Sequence, residues 1–76
     1  MVKRKVILNF PHELLREPII HNLGQQFGIV VNIHLAEITE DRGWLEVELQ
    51  GEADRMEEGL SWVMSRGIRV EPFAEH

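Results

Sequence analysis

An apolar stretch at residues 29–38 restricts the fold of this chain more than any other part of the sequence. It is rich in β-branched side chains and contains neither glycine nor proline, so we predict a β-strand. Side chains alternate between the faces of a strand, and the predicted core face consists of Ile29, Val31, Ile33 and Leu35. The other face consists of Val30, Asn32, His34, Ala36 and Ile38. Because an amide and an imidazole need hydrogen-bond partners when covered, the function depends on whether solvent, a second subunit or a ligand lies there.

Strand and helix patterns alternate along the rest of the chain. The predicted elements, in order, are a strand at 2–10, a helix at 18–27, the strand at 29–38, a strand at 44–49, a helix at 52–66 and a strand at 68–71. Gly28 and Gly67 follow the two helices, where glycine accommodates a left-handed C-cap. Turn residues at 39–43 join two strands in a hairpin, and we expect residues 73–76 to be frayed.

The order of elements is therefore βαββαβ, in a single domain that spans residues 1–76. This order predicts an α+β fold with a four-stranded antiparallel sheet and both helices on one face. Right-handed crossovers give the strand order 4-1-3-2, which puts the strand at 29–38 on an edge of the sheet. That strand carries no lysine or proline to discourage pairing, so we expect a homodimer with this strand at or beside the contact.

The residue types present argue against catalysis and against a metal or cofactor. No cysteine occurs, which excludes disulfides, thiolate zinc sites, iron–sulfur clusters and nucleophilic thiols within this chain. The four histidines have no ligand spacing; they are His12, His21, His34 and His76. Both serines lie on a predicted helix, and no pair of carboxylates shares an apolar cleft with a base. We therefore expect no catalytic residue, no cofactor and no enzyme activity.

The charge balance argues against nucleic acid as a partner. The net charge is −5, and the one basic cluster is Lys3-Arg4-Lys5. A nucleic-acid binder needs a basic face that displaces counterions from phosphates, and an RNA-binding sheet also needs a pair of stacking aromatics on its two central strands, where this sequence has only Trp44. No apolar run approaches the roughly 18 residues of a membrane span, and no signal peptide is evident. We therefore expect a cytoplasmic protein that neither binds nucleic acid nor inserts directly into a membrane.

Several short motifs together carry a resemblance to a known family. They are Glu17-Pro18-Ile19-Ile20, Phe27-Gly28, Val31-Asn32-Ile33, Gly43-Trp44, Glu48-Leu49 and Val70-Glu71. In this order and spacing they resemble the NIL domain, over residues 6–73. The resemblance implies a dimeric, ferredoxin-like fold of ACT type. In that family the domain regulates the ATPase of bacterial methionine importers, or occurs alone or joined to an iron–sulfur module, so a transporter or an iron–sulfur protein is an implied partner.

The resemblance also implies a function and a site. NIL domains of the transporters bind methionine, which implies a domain that senses methionine or a related amino acid near a dimer interface. The ligand-binding residues would be Asn32, Ile33, His34 and Ile38. His34 stands where the name-giving Asn-Ile-Leu motif has leucine, so the identity of the ligand stays open. In the alternative reading Asn32 and His34 are structural, and the chain is an interaction or assembly module without a ligand.

Overall fold

The computed structural model describes residues 1–73. Its strands are β1 (Val2–Pro11), β2 (Val30–Ile38), β3 (Arg42–Gly51) and β4 (Arg69–Pro72), and its helices are α1 (Ile19–Phe27) and α2 (Ala53–Ser65), with a 3-10 helix at His12–Leu14. All six predicted elements are present, with ends within two residues of the predicted ones. Of the segment predicted to be frayed, Phe73 donates its N–H to the carbonyl of Lys5 at 3.3 Å. Residues 74–76, including His76, lie outside the described residues.

The sheet has the strand order β2-β3-β1-β4, with every neighbouring pair antiparallel. This is the predicted order 4-1-3-2 read from the other edge, so the predicted α+β topology is confirmed. Both helices pack on one face of the sheet, against the buried side chains of the middle strands. The other face, which we call the open face, carries Ile7, Asn9 and Glu71 on β1 and β4.

Glycines shape both helices. Gly28 ends α1 with φ of 65°, a left-handed conformation that suits glycine, and Gly67 has φ of 96° after α2. Gly59 lies in the packed face of α2, where a Cβ atom would come within 2.5 Å of Ile29 Cδ1 and 3.1 Å of Leu23 Cδ1. The absence of a side chain at Gly59 therefore lets α2 approach α1 and the start of β2 closely.

The predicted faces of β2 are correct up to Ile33 and wrong beyond it. Ile33 pairs with Val47 and Leu35 pairs with Glu46, so the strand contains one extra residue, His34, relative to its neighbour. Such a β-bulge exchanges the two faces for the rest of the strand. Leu35 therefore lies on the open face with Glu46 and is 53% exposed, not in the core as predicted. Ala36, opposite Leu45, lies on the helix face instead.

The predicted position of β2 at the edge is confirmed, and the two helices leave most of it uncovered. Four of its apolar residues are at least half exposed: Val30, Ile33, Leu35 and Ile38. In β2 only Val31 is partly buried, whereas Ile29, directly before the strand, is buried in the core. The sheet therefore ends in a long apolar strand whose outer edge pairs with nothing in residues 1–73.

Candidate functional site

The four residues predicted to bind a ligand do not share one face of β2. Asn32 lies opposite Glu48 on the open face, whereas Ile33 and Ile38 lie on the helix face. His34 is the extra residue of the bulge and has no opposite residue on β3. Ile33 and Ile38 thus share a face, and Asn32 does not share it with them.

Ile38 belongs to an apolar pocket that the sequence did not reveal. The pocket has a volume of about 120 Å³ and opens between the end of β1, the loop before α1, the first turn of α1 and the β2–β3 hairpin. Its lining residues are Phe10, Leu15, Glu17, Ile19, Ile20, Ile38, Gly43 and Leu45. Seven of these eight residues carry no polar side-chain atom, so the pocket suits an aliphatic or thioether group.

Gly43 keeps this pocket open. A Cβ atom on Gly43 would lie 2.8 Å from Leu15 Cδ2 and 3.3 Å from Ile38 Cγ1. Leu15 comes from the loop before α1, whereas Gly43 and Ile38 face each other across the hairpin. The side chains that line the pocket therefore pack against the bare backbone of Gly43, and a methyl group there would push them into the cavity.

Polar groups lie at the rim of the pocket beside α1. The carboxylate of Glu17 accepts a hydrogen bond of 2.7 Å from Arg66 Nη2. The guanidinium of Arg66 in turn lies 5.8 Å from the ring centre of Trp62. The helix α1 begins after Pro18 without a side-chain cap and with no acidic residue in its first turn. Glu17 is the one charged residue among those that line the pocket, and its carboxylate can accept further hydrogen bonds.

A histidine ties together the two segments that border the pocket. His12 Nδ1 lies 2.7 Å from the carbonyl oxygen of Glu40, which joins the 3-10 helix to the hairpin turn. The turn is held in addition by Thr39, whose backbone N–H and hydroxyl both donate to the carbonyl of Arg42. The two consecutive leucines at 14 and 15 were a sequence signal for this site, because apolar side chains in a loop need a surface to cover.

The open face carries a mixture of charged, polar and apolar side chains. Trp44 lies between Asn9 on β1 and Glu37 on β2. Asn9 Nδ2 donates to Glu71 Oε1 at 3.2 Å, and Arg69 Nε lies 3.3 Å from the same carboxylate oxygen. Trp44 is the one aromatic residue that the pairing of residues 1–73 puts on this face.

The described residues contain neither a cluster that could hold a metal ion nor a helix that could span a membrane. Within residues 1–73, no group of three or more histidine, aspartate and glutamate side chains is arranged to hold a metal ion. No helix in the same range is long and apolar enough to cross a membrane.

Together, the βαββαβ order and the sheet of order β2-β3-β1-β4 define a ferredoxin-like α+β domain. The family model of the NIL domain matches residues 4–72, and the chain belongs to this family. The fold is similar to that of the C-terminal domain of an ABC transporter ATP-binding protein from Enterococcus faecalis, with a TM-score of 0.81 and 22% sequence identity over 96% of this chain and 86% of that chain.

The de novo designed protein Ferredog-Diesel is a more distant structural neighbour. Its TM-score is 0.48 and its sequence identity 15%, over 92% of this chain and 84% of that chain. No curated protein sequence matches the chain. The similarity to the Enterococcus faecalis domain concerns the fold, and membership of the family follows from the match to the NIL domain.

Proposed function

We propose that this NIL domain is a cytoplasmic regulatory domain that binds an amino acid with an apolar side chain, methionine or a related one, and transmits its presence to a partner protein. The observation that carries the proposal is the apolar pocket beside the uncovered strand β2, which is lined by Ile38. Membership of the NIL family supports a regulatory role. The role is one of binding, not of catalysis.

The chemistry of the pocket suits the side chain of methionine. A thioether chain needs only apolar contact and dispersion, which Phe10, Ile19 and Leu45 can provide. The ammonium group of an amino acid needs an oriented acceptor, and the carboxylate of Glu17 lies at the rim. The pocket, at about 120 Å³, is smaller than the roughly 300 Å³ typical of ligand sites, so part of a bound amino acid would lie outside it.

Asn32 offers a different position for the same ligand. It lies on the open face of β2, so it does not contact a molecule held in the pocket of its own chain. A ligand that uses the amide of Asn32 would lie over the open face near Glu48. If the ligand lies in the pocket, substituting Ile38 should abolish binding and substituting Asn32 should not. If the ligand lies over the open face, the reverse is expected.

Calorimetry with methionine, leucine and glutamate tests the proposal. Methionine has about nine non-hydrogen atoms, and small ligands of this size bind with micromolar to tens of micromolar affinity when each atom contributes roughly 0.7 to 0.9 kcal/mol. We expect heat for methionine and none for glutamate. The Ile38→Glu variant should lose the heat and Asn32→Ala should retain it if the pocket is the site. No heat for methionine up to about 1 mM would contradict ligand binding.

An assembly module without a ligand is the second candidate function. The half-exposed apolar residues of β2 support it, because an uncovered edge strand is a surface for pairing with another chain. The structural neighbour belongs to an ABC transporter ATP-binding protein, which makes a transporter ATPase a candidate partner beside an iron–sulfur protein. Self-association in light scattering, together with no calorimetric heat for any amino acid, would favour this function.

A further inference from the structure

We propose that the open face binds the phosphate group of a small molecule in a cleft between Arg42 and Arg69. The cleft has a volume of about 400 Å³ and lies over the end of β1. It shares only Phe10 with the apolar pocket, and it takes a ligand of different chemistry. The proposal therefore does not depend on the proposed function, and either can fail without the other.

The two arginines come from the strands on either side of β1. Arg42, the first residue of β3, lies opposite Pro11, and Arg69, the first residue of β4, lies opposite Asn9. Because Asn9 and Pro11 are alternate residues of one strand, both arginines lie on the same face of the sheet. Strands two apart in a sheet are separated by about 10 Å, which two long side chains can span from opposite sides. A group that lies over β1 is therefore within reach of both guanidiniums.

The two guanidiniums have hydrogen-bond donors to spare. Within residues 1–73, the side chain of Arg42 makes no hydrogen bond or ion pair. Arg69 has one ion pair, in which its Nε lies 3.3 Å from Glu71 Oε1. A guanidinium carries several N–H donors in a planar fork, so the donors of the two arginines outnumber the acceptors that the described residues offer them.

Glu71 connects one arginine to β1. Its Oε1 accepts a hydrogen bond of 3.2 Å from Asn9 Nδ2 and faces the Nε of Arg69, which keeps this guanidinium beside the cleft. Glu71 is the only acidic residue among those that line the cleft, where it faces two arginines. The cleft thus has a net positive charge in a chain whose net charge is −5.

This arrangement suits a phosphate better than a carboxylate. A carboxylate has two oxygen atoms, and one guanidinium satisfies both in a bidentate pair. A phosphate monoester has three acceptor oxygens and more negative charge, so it can accept hydrogen bonds from Arg42 and Arg69 on opposite sides. The cleft also lies within the range of about 300 to 1,000 Å³ that is typical of small-molecule sites, which leaves room for the organic part of the ligand.

The sequence gave no sign of this site. Arg42 and Arg69 are 27 residues apart, and the basic cluster visible in the sequence is Lys3-Arg4-Lys5. Only the pairing of β3 and β4 with β1 brings the two arginines to one cleft. The acidic net charge argues against nucleic acid, which needs a row of phosphate contacts, but two arginines are sufficient for a single phosphate group.

NMR titration of the intact chain tests the site. The probes are inorganic phosphate, glycerol 3-phosphate, acetate and glycerol, at a constant ionic strength of about 0.1 M, where charges farther apart than roughly 10 Å are screened. We expect both phosphates to shift the Nε–H signals of Arg42 and Arg69 and the amide signal of Gly67, which also lines the cleft. The Kd should be about 1 mM, because so small a ligand gains little binding free energy. Acetate should bind at least about fivefold more weakly, and glycerol should cause no shift.

Substitutions with a matched control assign these shifts to the arginines. Arg42→Gln and Arg69→Gln should each raise the Kd for phosphate by about tenfold or more, because each removes charged hydrogen bonds to the anion. Arg42→Lys keeps the charge but loses the planar fork, so its Kd should be intermediate. Arg55→Gln removes the same charge from the exposed side of α2 and should change the Kd by less than about twofold.

The two tryptophans show whether the shifts belong to the open face. Trp44 lies opposite Asn9 on this face, whereas Trp62 packs against Phe27 with ring centres 5.7 Å apart. Phosphate should shift the indole N–H signal of Trp44 and leave that of Trp62 unchanged. Shifts of both signals by equal amounts would indicate a change of the whole domain and overturn the site.

Three further outcomes overturn the proposal. They are no shift at Arg42 and Arg69 with phosphate up to about 20 mM, acetate that binds as tightly as phosphate, and a loss of affinity in Arg55→Gln equal to that in Arg42→Gln. Methionine in the same spectra separates the two proposals. Shifts at Ile38 with methionine but none with phosphate would leave the proposed function intact, and the reverse result would leave this site intact.

Discussion

Gly43 faces Leu15 so closely that a Cβ atom on the glycine would lie 2.8 Å from Leu15 Cδ2. The contact joins the start of β3 to the loop before α1, which are 28 residues apart in sequence and meet at the apolar pocket. Gly43 is therefore the position at which the smallest substitution, glycine to alanine, would close the pocket.

Gly43→Ala should reduce methionine binding and destabilise the domain. The added methyl group forces Leu15 or Ile38 to move, and such overpacking costs about 1 to 3 kcal/mol. Urea unfolding gives the change in stability, and calorimetry gives the change in affinity. Leu15→Ala combined with Gly43→Ala is the matched control, since it removes the atom that clashes. If Gly43→Ala costs as much stability in the Leu15→Ala background as in the original chain, the contact with Leu15 is not the cause.

Gly28→Ala should destabilise the domain for a different reason. No atom lies within 4 Å of a Cβ atom at this position, so there is no clash, but φ is 65°. A left-handed conformation costs an alanine about 1 kcal/mol relative to glycine, whereas asparagine adopts it more readily. We expect Gly28→Asn to unfold at a urea concentration between those of the original chain and Gly28→Ala. Equal stability of all three would contradict this reading of the C-cap.

The ion pair of Glu17 and Arg66 should contribute little to stability. Its side chains are 40% and 45% exposed, so water screens the attraction despite the distance of 2.7 Å. A double-mutant cycle with Glu17→Gln and Arg66→Gln should give a coupling of about 0.2 to 1 kcal/mol that falls in high salt. A coupling that salt leaves unchanged would indicate a hydrogen bond that does not depend on charge.

A charge on the outer edge of β2 should weaken self-association without unfolding the monomer. Ala36 is exposed and lies on the helix face, so Ala36→Glu puts a carboxylate on the strand through which two copies would associate. Analytical ultracentrifugation should show a raised Kd, and urea unfolding of the monomer should be nearly unchanged. Ser61→Glu, on the exposed side of α2, is the control and should leave the dimer intact.

Periodicity was sufficient to predict the elements, their order and the edge position of β2. Apolar residues that recur every second or every third to fourth position indicate which side of an element is buried, and the crossover rule then leaves one order of strands. The pocket was not predictable in this way. It depends on where Leu15 in a loop packs against Gly43 in a strand, and local periodicity contains no information about that contact.

The second half of β2 was mispredicted for a related reason. One inserted residue, His34, reverses the faces of everything after it, and neither composition nor alternation distinguishes a bulged strand from a regular one. Leu35 is apolar and was therefore assigned to the core, although it lies on the open face. The same insertion puts Ile38 on the helix face, away from Asn32, with which it would share a face in a regular strand.

Deletion of His34 should convert β2 into a regular strand and leave the fold intact. Without this residue Ile33 and Leu35 become neighbours, and they already lie opposite Val47 and Glu46, which are neighbours on β3. No face changes, so the core is unaltered, and we expect the free energy of unfolding to change by no more than about 1 kcal/mol, the scale of ordinary surface changes. The measurement is urea unfolding followed by circular dichroism.

The matched deletion is Glu48 in β3, a regular stretch of the sheet. There a missing residue turns Leu49 away from the core or shifts its pairing with both neighbouring strands, because a slip of one residue reverses the face. Leu49 is fully buried, so this deletion should cost several kcal/mol, in the range of about 2 to 5 that follows from removing a core leucine. If the two deletions destabilise the chain equally, His34 is not an extra residue in solution, and β2 has the regular alternation that the sequence first suggested.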